Sequence, residues 1–155
     1  MHNKELIVKF YSAFQNKDAE SMVSCYHPEV VFTDPAFGTL KGIRANAMWE
    51  MLCISAKDLK VEFNNVSTDG DTGSAHWEAD YTFSKTGRKV HNEIDAKFKF
   101  KDGLIIEHTD HFNLKKWAGQ ALGFKGKLIG GTNFFRNKLH QQTNLTLNKF
   151  IAEKG

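Results

Sequence analysis

The sequence predicts an α+β fold, with helices gathered early in the chain and packed on one face of an antiparallel sheet built later. Three observations carry this. Residues 92–101 alternate strictly, Asn92, Ile94, Ala96, Phe98 and Phe100 against Glu93, Asp95, Lys97, Lys99 and Lys101, which is the period of a strand with one dry face. Lys101-Asp102-Gly103 then turns the chain, and Leu104-Ile105-Ile106 restarts a strand that ends in Glu107-His108-Thr109-Asp110-His111. Residues 5–15, by contrast, place Leu6, Ile7, Phe10, Tyr11, Ala13 and Phe14 at spacings of three and four, the stripe of a helix with one buried face.

The remaining elements follow in order. Asn16-Lys17 breaks the first helix, and Asp18 is placed to cap a second that runs through Cys25 and stops at Pro28. Val30–Asp34 reads as a short strand stopped by Pro35, and residues 36–42 as a loop. A third helix spans residues 43–56, carrying Met48, Trp49, Met51 and Leu52. A strand over 59–66, a turn at 69–73 and a strand over 75–83 with Ala75, Trp77, Ala79, Tyr81 and Phe83 on one face lead into the hairpin. Beyond Leu114 the pattern changes. Lys116–Gly123 reads as a short helix stopped by glycine, 126–131 as a flexible link, and the chain from Thr132 or Asn133 as a helix carrying Phe135, Leu139, Leu145, Leu147, Phe150 and Ile151. The expected organisation is a body over 1–114 and a basic amphipathic extension over 115–155, docked on the body or on a partner.

Charge sharpens that division. The extension holds eight Lys or Arg against one acid, and the body thirteen against seventeen, so the two parts carry opposite sign. The aromatics of the extension lie on its apolar stripe, not among exposed basic residues, which argues against nucleic acid. Cys25 and Cys53 lack ligand spacing, so neither a disulfide framework nor a structural zinc site is expected. The start of the chain shows no signal-peptide pattern and no apolar run is membrane-length, so a cytoplasmic protein without membrane contact is expected.

Several segments together carry a family likeness. They are Phe10-Tyr11-Ser12-Ala13-Phe14 with Asn16 and Asp18, then Tyr26–Pro35, then Gly38 and Gly42, and finally Phe98–Ile105 with Asp110 and Phe112. In this order and spacing the chain resembles the nuclear transport factor 2-like superfamily, in its SnoaL-like and ketosteroid-isomerase-like branch, over residues 5–114. The resemblance implies a curved sheet forming a cone, with three N-terminal helices packed on its inner face. It also implies a homodimer through the sheet's outer face and a small apolar molecule in the hollow. By the same resemblance Asp34 matches the general base of ketosteroid isomerases, while Phe10 and Ala96 occupy the positions of their two oxyanion donors. Steroid isomerisation by that machinery is therefore not expected, since each lost donor costs about 100-fold or more.

Strand parity names what else shares the hollow. Asn92, Ile94 and Ala96 follow Phe98 and Phe100 inward, and Ile106, His108, Asp110 and Phe112 share a face. Asp34, His108 and Asp110 are the candidate acid/base groups. Tyr11, Trp49, Trp77, Tyr81, Asn92 and Phe112 are the candidate ligand-binding residues. Two less active readings stand beside these: Asp34 as a cap on the loop it opens, and His108–Asp110 as a buried pair that satisfies itself. His111 has the opposite parity, so His108, Asp110 and His111 form no metal site, and no cofactor is called for. The expected activity is acid/base chemistry of an isomerase, cyclase or lyase type on an apolar carbonyl- or hydroxyl-bearing substrate. Binding without chemistry, or a structural dimerisation domain, are the alternatives.

Overall fold

The structure, a computed structural model, describes residues 2–154. It contains α1 (Asn3–Gln15), α2 (Ala19–Ser24), β1 (Tyr26–Asp34), β2 (Gly38–Lys41), α3 (Ile43–Ser55), β3 (Lys60–Asp69), β4 (Thr72–Phe83), β5 (Arg88–Lys101), β6 (Leu104–His111), α4 (Leu114–Leu122), α5 (Phe124–Ile129) and α6 (Asn133–Lys154). The strands form one six-stranded sheet in the order β2-β1-β6-β5-β4-β3. It is an α+β molecule with a curved sheet that does not close on itself.

One feature departs from the expected antiparallel sheet. β1 runs parallel to β6, with Phe32 beside His108 and Thr33 beside Thr109. The whole of α3 and the β3–β5 meander lies between these two strands in sequence, enough chain for a crossover that returns in the same direction. The other pairings are antiparallel.

Local chemistry explains the element ends. Asp18 caps α2 by accepting from the Ser21 amide at 3.1 Å. α2 stops at Ser24 rather than at Pro28, and β1 begins at Tyr26. Pro28 is tolerated inside β1 because the register with β6 shifts between Tyr26 and Val31, so no ladder bond is asked of it. The segment expected as loop contains β2, which folds back antiparallel on β1 from Asp34↔Gly38 to Val31↔Lys41. A second bulge, between Lys99 and Phe100, re-phases β6. Ile105, fully buried, therefore faces inward, and the half-buried Ile106 does not, contrary to simple alternation.

The extension is helical throughout. α4 ends where expected, at Gly123 with φ +75°. The expected link contains α5, which lies so close to α4 that a Cβ on Gly126 would meet the Ala118 carbonyl oxygen at 2.0 Å. α4 buries Leu114, Trp117, Ala118 and Ala121 in a small second core with Val90 and Phe135. α6 reaches the main core through Leu147, which is fully buried, with Phe150 and Ile151 beside it. Leu145, expected on the buried stripe, is exposed.

Candidate functional site

The inner face of β6 carries the two buried polar side chains of the core, His108 and Asp110, 0% and 3% exposed. They are two apart on one strand and so share a face. His108 Nε2 lies 2.9 Å from Asp110 Oδ1, and Nδ1 lies 2.8 Å from the Tyr26 hydroxyl. Tyr26 in turn accepts from Trp49 Nε1 at 2.8 Å, and Asp110 Oδ1 accepts from Trp77 Nε1 at 3.4 Å. Indole N–H groups only donate, so the Tyr26 proton is free for Nδ1. This donor pattern accommodates a neutral imidazole that donates from Nε2 to Asp110 and accepts the Tyr26 proton at Nδ1. Aromatic rings close the chain off from water. His108 stacks on Trp49 at 5.9 Å and lies 4.5 Å from Phe98 and 5.0 Å from Phe32. Around His108 the interior is packed, and both ring nitrogens are used.

Asp34 ends β1. Continuing the parallel register past Thr33↔Thr109 brings it beside Asp110, on the same inner face as Phe32. Its Oδ1 accepts from the Ala36 amide at 3.0 Å and the Phe37 amide at 2.6 Å, which is the loop-capping role. Among the described residues its second oxygen accepts no hydrogen bond. Burial pushes its carboxyl up to about 7, against the pull of the Phe37 amide, and the charge of Asp110 adds to the rise. α6 clamps this loop from outside. His140 Nε2 donates to the Pro35 carbonyl at 2.8 Å, Thr143 to Ala36 at 2.9 Å, and Asn144 to Phe37 at 3.0 Å.

The other candidates divide into two groups. Trp49 and Trp77 are buried and act as donors in the His108–Asp110 chain, not as plain apolar walls. Tyr11 is fully buried, lies edge-on to Phe98 at 6.2 Å, and its hydroxyl has no partner among the described residues. Burial raises its pKa well above the usual phenol value, with Asp110 contributing. Tyr81, Asn92 and Phe112 are half-buried, like Asp34. Tyr81 accepts from Trp117 of α4 at 2.7 Å, and with Phe112 it packs against both cores. Tyr26 is the member that sequence reading did not select. Its signal was its even-numbered parity with Val30, Phe32 and Asp34, hidden because the strand was expected to begin at Val30.

Fold and site together describe a curved sheet with inward-facing carboxylates under a helical roof. The family model of the SnoaL-like domain matches residues 7–108, and the chain belongs to that family. Among solved structures, it is similar to a protein assigned as a SnoaL-like polyketide cyclase from Jannaschia, at 16% identity over 75% of this chain and 88% of that one, TM-score 0.65. It is also similar to an LEH-like epoxide hydrolase of M. tuberculosis, at 19% identity over 81% and 89%, TM-score 0.62. A third is a protein of ketosteroid isomerase-like fold from Catenulispora acidiphila in complex with trimethylamine, at 12% identity over 76% and 92%, TM-score 0.66. At such identities the likeness is one of fold. No curated protein matches the chain.

Proposed function

We propose that the protein is a small-molecule acid/base catalyst of the isomerase or cyclase type, with Asp34 and Asp110 as its working pair. One feature supports this above the rest: continued past Thr33↔Thr109, the register sets Asp34 and Asp110 at neighbouring positions on the inner face, and burial pushes the Asp34 carboxyl up to about 7. Near neutral pH the raised pKa of Asp34 leaves that group partly protonated beside Asp110. In that state the Asp110 carboxylate takes a proton from carbon next to a substrate carbonyl. Protonated Asp34 gives one to the carbonyl oxygen, and the pair's proton count is unchanged. His108 acts through Asp110 as a positioning residue, because both of its nitrogens are already engaged. The unpartnered Tyr11 hydroxyl is a further donor for the substrate oxygen. In this reading Tyr81, Asn92 and Phe112, all half-buried, are the residues that contact the apolar molecule. The polyketide-cyclase and epoxide-hydrolase neighbours are consistent with a substrate of this kind.

The test is solvent-deuterium exchange at carbons beside the carbonyl of a panel of aryl ketones and enones, followed by NMR. Wild type is expected to exchange at least one class of them, and Asp34→Asn and Asp110→Asn to lose about 100-fold or more. Equal rates in wild type and Asp34→Asn would sink the assignment. Measurable affinity with no exchange would favour the alternative of binding without chemistry.

A further inference from the structure

On the outer face of the sheet, away from Asp34 and Asp110, β4 and β5 bring two imidazoles and four carboxylates into one block. The register sets His76 opposite Asp95, Glu78 opposite Glu93, and Asp80 opposite His91. The two rings are held alike. His76 Nδ1 lies 2.9 Å from Asp95 Oδ1, and His91 Nδ1 lies 2.7 Å from Asp80 Oδ1. Both Nε2 atoms turn toward the central Glu78, at 2.9 Å from Oε2 and 3.2 Å from Oε1. One ligand-capable atom each from His76, Glu78 and Glu93 lie within 4.8 Å of one another.

We propose that this block is a site for a divalent transition-metal ion of the Zn2+ class. The ligands are Nε2 of His76 and the carboxylates of Glu78 and Glu93, which already stand together, with Nε2 of His91 joining by rotation from across Glu78 and with Asp95 and Asp80 orienting the rings. Metal-binding histidines almost always donate the other ring N–H to an oxygen acceptor, often a carboxylate, and here both rings are already held so. Two imidazole nitrogens with two carboxylates suit Zn2+ and its neighbours, whereas Ca2+ and Mg2+ take oxygen. Charge favours a cation as well. Four carboxylates outnumber two imidazoles even when both rings are protonated. Glu62 of β3 lies opposite Glu78, Lys60 opposite Asp80, and His111 of β6 opposite Asp95. Lys116 of α4 reaches Glu93 at 3.7 Å. Donors about 2.0–2.2 Å from a shared ion must draw closer than they now stand, which these partly exposed side chains achieve by rotation.

The experiment is a calorimetric titration of the full-length protein with Zn2+ near neutral pH, paired with the visible spectrum of the Co2+ form. One ion per chain is expected, with Co2+ bands of low coordination number. His76→Gln and Glu78→Gln should each lose at least about tenfold in affinity, and Asp95→Asn a comparable or smaller amount. His2→Gln, remote from the block, should change nothing. Circular dichroism melts confirm that each variant is folded. The absence of saturable Zn2+ binding would overturn the proposal. Binding undiminished in the His76→Gln/His91→Gln double variant would overturn it equally.

Discussion

Asp34 is where the cost of the site is felt. Its carboxyl titrates at about 7 in the fold against an ordinary value of 3.8, with desolvation the largest cause. Between those values the folded state binds more protons than the unfolded state, so this group lowers stability as pH rises through the window. Asp34→Asn keeps an oxygen for the Ala36 and Phe37 amides and removes the charge. Its thermal midpoint should exceed that of wild type at pH well above 7 and match it more closely under mild acid, as differential scanning calorimetry would show. Tyr26 makes the opposite case. Its hydroxyl serves both Trp49 and His108, and Tyr26→Phe orphans two buried polar groups at once. Urea denaturation should register a loss of about 1–3 kcal/mol or somewhat more.

Close approach defines the extension at the level of elements. α5 exists as a packed helix because Gly126 lets its backbone touch that of α4. Gly126→Ala would place a methyl group within 2.0 Å of a carbonyl oxygen, and neither backbone can step aside cheaply. The expected cost is about 1–3 kcal/mol in chemical denaturation, with faster hydrogen exchange across residues 114–129. Gly131, whose added Cβ would meet no atom nearer than Lys115 Cδ at 3.5 Å, is the matched control. Glycines invite the reading of a loose link. Here one of them is the contact that makes the helix pair possible, which a one-dimensional pattern does not show.

For the molecule as a whole, α6 joins the end of the chain to the loop that holds Asp34. It does so through His140, Thr143 and Asn144 on three successive carbonyls, through Arg44 with Asn144 and Asn148 at 2.7 and 2.6 Å, and through Leu147 in the core. An ion pair between Lys154 and Glu50 closes the far end. Leu147→Ala should cost about 2–5 kcal/mol. It should also raise exchange of the Ala36 and Phe37 amides, which donate to Asp34, relative to β4 and β5, since the clamp on that loop's carbonyls loosens before the sheet does. Uniform change across the chain would show instead that α6 bears on global stability alone.

Much of this was legible in the residues themselves. Alternation from Asn92 to Phe100 defined the long strand and its inward face, the α1 stripe defined the roof, and Asp102-Gly103 placed the turn, because side-chain period and turn chemistry are local properties. Parity also brought His108 and Asp110 to one face and turned His111 to the other. What the chain order could not reveal was the parallel pairing of β1 with β6 that places Asp34 toward Asp110. Nor could it reveal Tyr26 as the partner of His108, or the bulge that turns Ile105 inward. The pairing and the Tyr26 contact depend on register between segments some eighty residues apart, and the bulge on how β6 settles against β5; only the packed tertiary structure decides these, since many registers satisfy the same alternation.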